Sequence, residues 1–247
     1  MKPLILASGS PRRAKILRDL GVEFEIVKTE APEVSIPHDP VRTVTDNALA
    51  KLRAAVAQER DSTGAAPAGR HILAADTIVW FNGKIYGKPR DLAEAKAFLR
   101  ELSGQTHTVF TGVAYVGPDG AAAIPANVLP QQAATVPANV LPQQAATVPA
   151  NVLPQQAASV PANVLPQQAA TVLKSLAPST ACARSHVTFR QLSDAAIEEY
   201  VARVRPIDRA GAYDIDESGD LIVASYDGEY ENIMGLPVEP LRRFGII

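Results

Sequence analysis

Four near-identical copies of a twelve-residue unit, (V/I)PANVLPQQAA(T/S), occupy Ile124 to Thr171 and decide what 48 of the 247 residues can become. The copies start at Ile124, Val136, Val148 and Val160. Pro stands at the second and seventh positions of each. It removes a backbone donor and disfavours helix at the residue before it. The four residues between the two prolines are too few for a stable helix, and the proline pair denies a central strand. The unit is also far shorter than the repeats from which solenoids are built. The reading is an extended, polyproline-like or disordered excursion, with a short stacked β-coil as its rival. No motif supports an interaction tail.

The flanks place the excursion. Thr106 to Val116 is rich in β-branched and aromatic residues and reads as a strand, followed by the turn residues Gly117-Pro118-Asp119-Gly120. His186 to Leu192 reads as the next strand. Residues 124–171 are therefore expected to be an insertion in a strand-to-strand loop, where added length is tolerated. The expectation is one domain over 1–247 carrying that insertion. Outside the repeat, 50 of 199 residues are charged, the ordinary globular share.

The remaining sequence alternates strands and helices. Pro3 to Ala7 is a short apolar strand. Ser10 and Pro11 then offer an N-cap and a first helical residue for a helix over Arg12–Leu20, stopped by Gly21. Val22–Val27 reads as a strand. Pro40–Glu59 reads as a long helix with Val41, Val44, Ala48, Leu52 and Val56 on one face, followed by a loop over Asp61–Gly69. Ile72–Phe81 is a strand ending at Asn82-Gly83. Asp91, with Glu94 three residues on, starts a helix with Ala95, Phe98 and Leu102 inward. Ser193 opens a helix to Val204, Leu221–Ala224 is a last short strand, and Val238–Phe244 a closing helix. This is an α/β pattern, and the hairpin-like pair inside it makes the sheet mixed.

Charge and cysteine content exclude several function classes. A net charge of −2 rules out a global basic field for nucleic acid. The single Cys182 excludes an internal disulfide framework and a cysteine metal cluster, and fits a reducing compartment. No apolar run is long enough for a membrane span or a signal segment. The expectation is a soluble cytoplasmic protein with neither nucleic acid nor membrane as partner; a homodimer is compatible with it.

Four stretches could carry chemistry. In Ser8-Gly9-Ser10-Pro11-Arg12-Arg13, free N–H groups at a helix start attract anions. The first 18 residues hold five positive charges and no acid, which is also how a solvated basic face looks. Asp76, in Ala74-Ala75-Asp76-Thr77, is expensive to bury unless it is paired, binds metal or caps a neighbour. Lys88, between Gly87 and Pro89, suits a positioned phosphate ligand or a plain surface turn. Asp208 to Glu217 opens a run with eight acids and one base by Glu231, either a solvated loop or a close-packed ligand wall around Tyr213. The histidines 38, 71, 107 and 186 show no metal-ligand spacing, and no Ser-His-Asp signature is visible. Scattered cations and carboxylates without a nucleophile suit metal-assisted phosphoryl chemistry with water attacking.

These motifs resemble those of the Maf family of nucleoside triphosphate pyrophosphatases. The likeness is carried, in order, by Ser8 to Arg13, Ala74 to Thr77, Gly87 to Pro89, Leu102-Ser103-Gly104, Thr111-Gly112-Val113, Asp208 to Tyr213 and Met234-Gly235-Leu236-Pro237. The resemblance implies a twisted mixed sheet with flanking helices in two lobes around a cleft, similar to inosine triphosphate pyrophosphatases. It implies hydrolysis of a nucleoside triphosphate to monophosphate and pyrophosphate with a divalent cation, Mg²⁺ or Mn²⁺. By match to the family, Asp76 is the catalytic carboxylate, as general base or metal ligand, and Glu33 lies near the metal. Ser8, Arg12, Arg13, Lys51 and Lys88 form the substrate site, and Arg12, Thr77 and Asp216 bear on base choice. Asp76-Thr77 is the form of the branch acting on dTTP and UTP. One departure stands out: the family has Gln after Tyr-Gly-Ile, whereas this chain reads Tyr213-Asp214-Ile215-Asp216. Gln can both donate to and accept from a pyrimidine edge, and ionised Asp216 can only accept. The alternative function is a nucleotide-binding regulator of septum formation without significant turnover.

Overall fold

Alternation of side chains along the strands gives the sheet two apolar faces, and each face takes its own layer of helices. The computed structural model describes residues 3–63, 70–118 and 178–247. The repeat at 124–171, with its expected extended form, lies outside the described residues. Within them a seven-stranded mixed sheet runs in the order β2-β1-β3-β5-β6-β7, with β4 also on β3. The strands are β1 (Leu4–Leu6), β2 (Phe24–Ile26), β3 (Ile72–Phe81), β4 (Lys84–Tyr86), β5 (Thr106–Val116), β6 (Ser179–Phe189) and β7 (Val223–Asp227). β1 is parallel to β2 and β3, and every other pairing is antiparallel.

One face packs on α2 (Pro40–Thr63): Ile5, Ile72, Ala74, Ala114 and Val116 meet Ala48, Leu52, Ala55 and Val56. The other presents Leu4, Leu6, Leu73, Ala75, Val113 and Tyr115. It is covered by Ile16 and Leu17 of α1 (Pro11–Asp19), by Met234 of α5 (Tyr230–Met234), and by Val238 and Leu241 of α6 (Val238–Arg243). A separate core joins α3 (Leu92–Leu102) and α4 (Asp194–Val204) around Phe98, Leu99, Phe189, Ile197 and Tyr200. The cleft runs between two bodies, the first built on α1, α2 and the sheet between them and the second on this α3–α4 core.

Caps match their sequence signals. Ser10 Oγ accepts from Arg13 N, Asp91 Oδ1 from Glu94 N at 2.8 Å, and Ser193 Oγ from Ala196 N at 3.2 Å. Other expectations shift. Val41 is 46% exposed, because α2 meets the sheet only from Val44 onward. α2 runs to Thr63, past the expected start of a loop at Asp61. β6 starts at Ser179 instead of His186, since residues 179–185 are small or polar and are strand because β5 pairs with them. β4, the three short 3₁₀ turns at Pro206–Asp208, Ala210–Ala212 and Gly219–Leu221, and α5 have no clear signal in the sequence.

Candidate functional site

The cleft forms where β3 outruns its neighbour. β1 pairs with β3 only at Ile72 and Leu73, and β4 only at Val79 to Phe81. Between them β3 has β5 on one side and, among the described residues, no strand on the other. Both faces of β3 therefore open into one cleft of about 760 Å³. Asp76 enters it from the α2 face and Thr77 from the opposite face, as period-two alternation requires.

Asp76 is 5% exposed and fully engaged. Its Oδ1 accepts from Lys51 Nζ at 2.6 Å, and its Oδ2 from Asn47 Nδ2 at 2.9 Å. Asn47 and Lys51 are four residues apart on α2 and so share a face. Asn47 also ties down the incoming loop, accepting from Val34 N at 2.8 Å and donating to Val34 O at 3.1 Å. That loop presents Glu33, whose Oε1 lies 2.7 Å from the same Lys51 Nζ. One ammonium thus joins two carboxylates from separate parts of the chain.

The approach of α2 depends on Gly112. It pairs with Asp76 across β3 and β5, and a Cβ there would lie 2.4 Å from Val44 O. Only a residue without a side chain lets the helix come close enough for both Asn47 and Lys51 to reach the carboxylate.

The opposite wall is built around Arg13, 8% exposed. Its guanidinium donates to Gly235 O at 2.7 Å, Ser8 Oγ at 3.0 Å and Thr77 Oγ1 at 2.9 Å. Burial pushes its pKa down to about 10, opposed by the Asp76 charge, so it stays cationic at neutral pH. Thr77 Oγ1 lies 3.0 Å from Thr111 Oγ1, which donates to Asn232 O at 3.1 Å. Arg13 therefore locks the β1–α1 loop to β3 and to the turn after α5.

The cleft brings together Ser8, Arg12, Arg13, Glu33, Lys51, Asp76, Thr77 and Lys88. Asp216 does not line it: its Oδ1 accepts from Tyr230 OH at 3.3 Å, and its Oδ2 lies 3.8 Å from Lys15 Nζ. The acids of this stretch that line the cleft are Asp208 and Asp214, of which Asp214 is 5% exposed and bonded to Arg12 and Arg209. Sequence reasoning placed Arg209 and Asp214 in a candidate stretch without giving either a role, and it missed Asn47. The signal for Asn47 was its helical spacing from Lys51. For Asp214 it was an acid set between Tyr213 and Ile215, both of which carry apolar surface inward.

Carboxylates and several cations lining one cleft suit binding and cleaving a phosphate anhydride with water. Among the described residues, no three His, Cys, Asp or Glu are grouped to hold a metal ion. No helix among them is long and apolar enough to cross a membrane.

A family model described as Maf-like protein matches residues 3–143 and 164–244. A dTTP/UTP pyrophosphatase of Moorella thermoacetica is 35% identical over 255 aligned positions, covering 100% of this chain and 97% of that protein. A dTTP/UTP pyrophosphatase of Bacillus cereus (strain ATCC 10987 / NRS 248) is 32% identical over 244, covering 98% and 88%. The solved structure of a nucleoside-triphosphatase / dITP/XTP pyrophosphatase from Mycobacterium abscessus covers 47% of this chain and 65% of that chain. Its identity is 20% and its TM-score 0.26, too slight a likeness to place the fold.

Proposed function

As this chain belongs to the Maf-like protein family, we propose that it is a nucleoside triphosphate pyrophosphatase that hydrolyses dTTP and UTP to the monophosphate and pyrophosphate. The observation that carries the reading is the pairing of Glu33 and Asp76 through Lys51, in a cleft also lined by Ser8, Arg12, Arg13 and Lys88. The choice of dTTP and UTP is supported by the relatives that bear that activity in their names.

In this reading water attacks the α-phosphorus. A bond forms from the water oxygen to that phosphorus, and the bond from it to the bridging oxygen of the β-phosphate breaks. The electron pair leaves on pyrophosphate, and the water proton passes to the Asp76 carboxylate, the general base. Lys88 and Arg13 hold the phosphate chain and the charge that develops on the leaving group. Lys51 holds the two carboxylates in place, and Asn47 fixes the orientation of Asp76.

The donor set also fits a divalent cation. Glu33 and Asp76 are hard oxygen ligands, and Mg²⁺ typically takes one or two protein carboxylates and fills its shell with water and substrate phosphate oxygens. When bound, Mg²⁺ or Mn²⁺ would neutralise phosphate charge and lower the pKa of attacking water. The proposal includes a cytoplasmic location, supported by the free thiol of Cys182.

The test is pyrophosphate release from dTTP and UTP with Mg²⁺ or Mn²⁺. Asp76→Asn keeps the size of the side chain and removes the base, and is expected to cut kcat by at least about a hundredfold. A folded Asp76→Asn protein with near-wild-type turnover would remove Asp76 from the chemistry.

A further inference from the structure

Arg12 occupies the second position of α1, where a positive charge opposes the helix dipole. Its Nη1 donates at 3.1 Å to Asp214 Oδ2. Arg209 Nε donates to the same oxygen, also at 3.1 Å, and its Nη2 reaches Glu217 Oε2 at 2.9 Å. The other carboxylate oxygen, Asp214 Oδ1, accepts from Asp216 N at 3.0 Å. Two guanidinium groups thus converge on one carboxylate whose side chain is only 4% exposed.

This carboxylate is rigidly set. Asp214 N donates to Tyr200 OH at 2.8 Å, and that hydroxyl donates back to Asp214 O at 3.2 Å. Tyr200 is fully buried in the α3–α4 core. The backbone at 214 is therefore bolted to the second body, while Arg12 comes from the first. The Arg12–Asp214–Arg209 group bridges the cleft at a place distinct from the Lys51 cluster.

What its two guanidinium groups still offer is all donor. Each guanidinium carries five N–H groups, and the contacts above use one on Arg12 and two on Arg209. Both side chains stay partly open, at 23% and 20%, and both residues line the cleft. A group of N–H donors is matched by a ligand atom that only accepts. Uracil and thymine present a carbonyl oxygen at C4, where cytosine presents an amino group. An amino donor meeting guanidinium donors is left unpaired on both sides, and an unpaired buried polar group is how a site rejects a near-isostere.

Resting on the pyrophosphatase reading above, we propose that Arg209 joins Arg12, which the family resemblance already links to base choice, in reading the C4 carbonyl of the pyrimidine, and that Asp214 is the positioning residue that aims both. The discrimination against cytosine then belongs to Asp214 and Arg209, with Asp216 outside the contact.

The experiment compares UTP with CTP on the full chain, by pyrophosphate release for kcat and KM and by calorimetry for binding. In Arg209→Met and in Asp214→Asn, the UTP-to-CTP ratio of kcat/KM is expected to fall roughly tenfold or more. The fall should be carried by a higher KM for UTP, with kcat changed less. Arg209→Lys keeps the charge but loses the fork, and is expected to fall with Arg209→Met. Equal losses on UTP and CTP, an unchanged ratio, or full rescue by lysine each overturn the proposal, since scaffold or simple phosphate charge would then explain the pair. If Asp214→Asn does not fold, Arg209→Met decides, because that side chain is partly exposed and Arg12 still pairs with Asp214. If the wild-type chain releases no pyrophosphate from any triphosphate, the activity reading fails separately. The calorimetric preference for UTP over CTP, and its loss in Arg209→Met, then carries or overturns the base contact by itself.

Discussion

Two buried residues show how differently a buried polar group can be partnered. Asp76 keeps two strong donors, Lys51 and Asn47. Among the described residues His107, 1% exposed, has one partner, Tyr213 OH at 3.0 Å, and no carboxylate against it. Burial pushes its pKa down from 6.5 to about 3. The folded ring is therefore neutral, and it packs edge-on to Phe189 and Tyr213 at centroid distances of 4.7 and 5.3 Å. Above the ordinary pKa both folded and unfolded states leave this ring neutral, and it adds no pH dependence. As pH falls below 6.5 the unfolded chain takes up a proton that the fold refuses, so stability drops from there toward about pH 3. Between pH 7.5 and 4.5 the loss from this one group is expected to be about 3 kcal/mol. Urea midpoints at the two pH values check it: His107→Gln should be less stable at pH 7.5 but lose distinctly less on acidification. An equal acid loss in both proteins would show that another group carries it. The sequence marked His107 as a strand residue without ligand spacing, and that much was legible. Its neutrality was not, because it depends on Tyr213, Phe189 and their packing, which are remote in the chain. The same limit applied to Asp214 and Asp216: both acids were visible, but which of them faces the cleft is set by Tyr200, fourteen residues before Asp214.

At the scale of elements, the site is a consequence of how closely α2 lies on the sheet. The contact at Gly112 is between backbone and backbone: an added Cβ would lie 2.4 Å from Val44 O and 2.8 Å from Thr45 N. No rotamer can relieve it, so Gly112→Ala must move α2 or β5. Moving α2 outward separates Asn47 and Lys51 from Asp76. Gly112→Ala is expected to lose about 2–4 kcal/mol of stability, the range of severe core overpacking. Where folded, it should lose pyrophosphate release by at least about tenfold. Thermal melting and turnover measured on the same preparation check the link; a destabilised protein with full turnover would separate the helix position from catalysis. The long elements α2, β3 and β5 were readable because each carries its own period or composition. Thr111-Gly112-Val113 was readable only as a motif. Nothing local says that the glycine makes room for a helix sixty-odd residues earlier. β4, α5 and the 3₁₀ turns were not readable, since they are three to five residues long and owe their form to neighbours.

For the whole molecule, the question is whether the four-copy repeat belongs to the enzyme. β5 and β6 are adjacent antiparallel strands, and Tyr115 pairs with Ser179, so the connection starts and ends at neighbouring points of the sheet. Antiparallel neighbours can be joined by a loop of only a few residues. Every candidate site residue, from Ser8 to Asp216, falls outside Ile124–Thr171 in the sequence. Removing those 48 residues leaves 117–123 and 172–178 to make the connection, more than a hairpin needs. Treated as simple loop closure, the shorter connection closes at a cost about 1 kcal/mol lower. The deletion variant is therefore expected to fold, to melt no lower than the full chain, and to release pyrophosphate from UTP with kcat and KM within about twofold of it. A lower melting temperature with kcat preserved would make the repeat a structural part of the domain. Loss of turnover in a well-folded deletion variant would place the repeat in the working site, and the catalytic unit would then be the whole 247-residue chain.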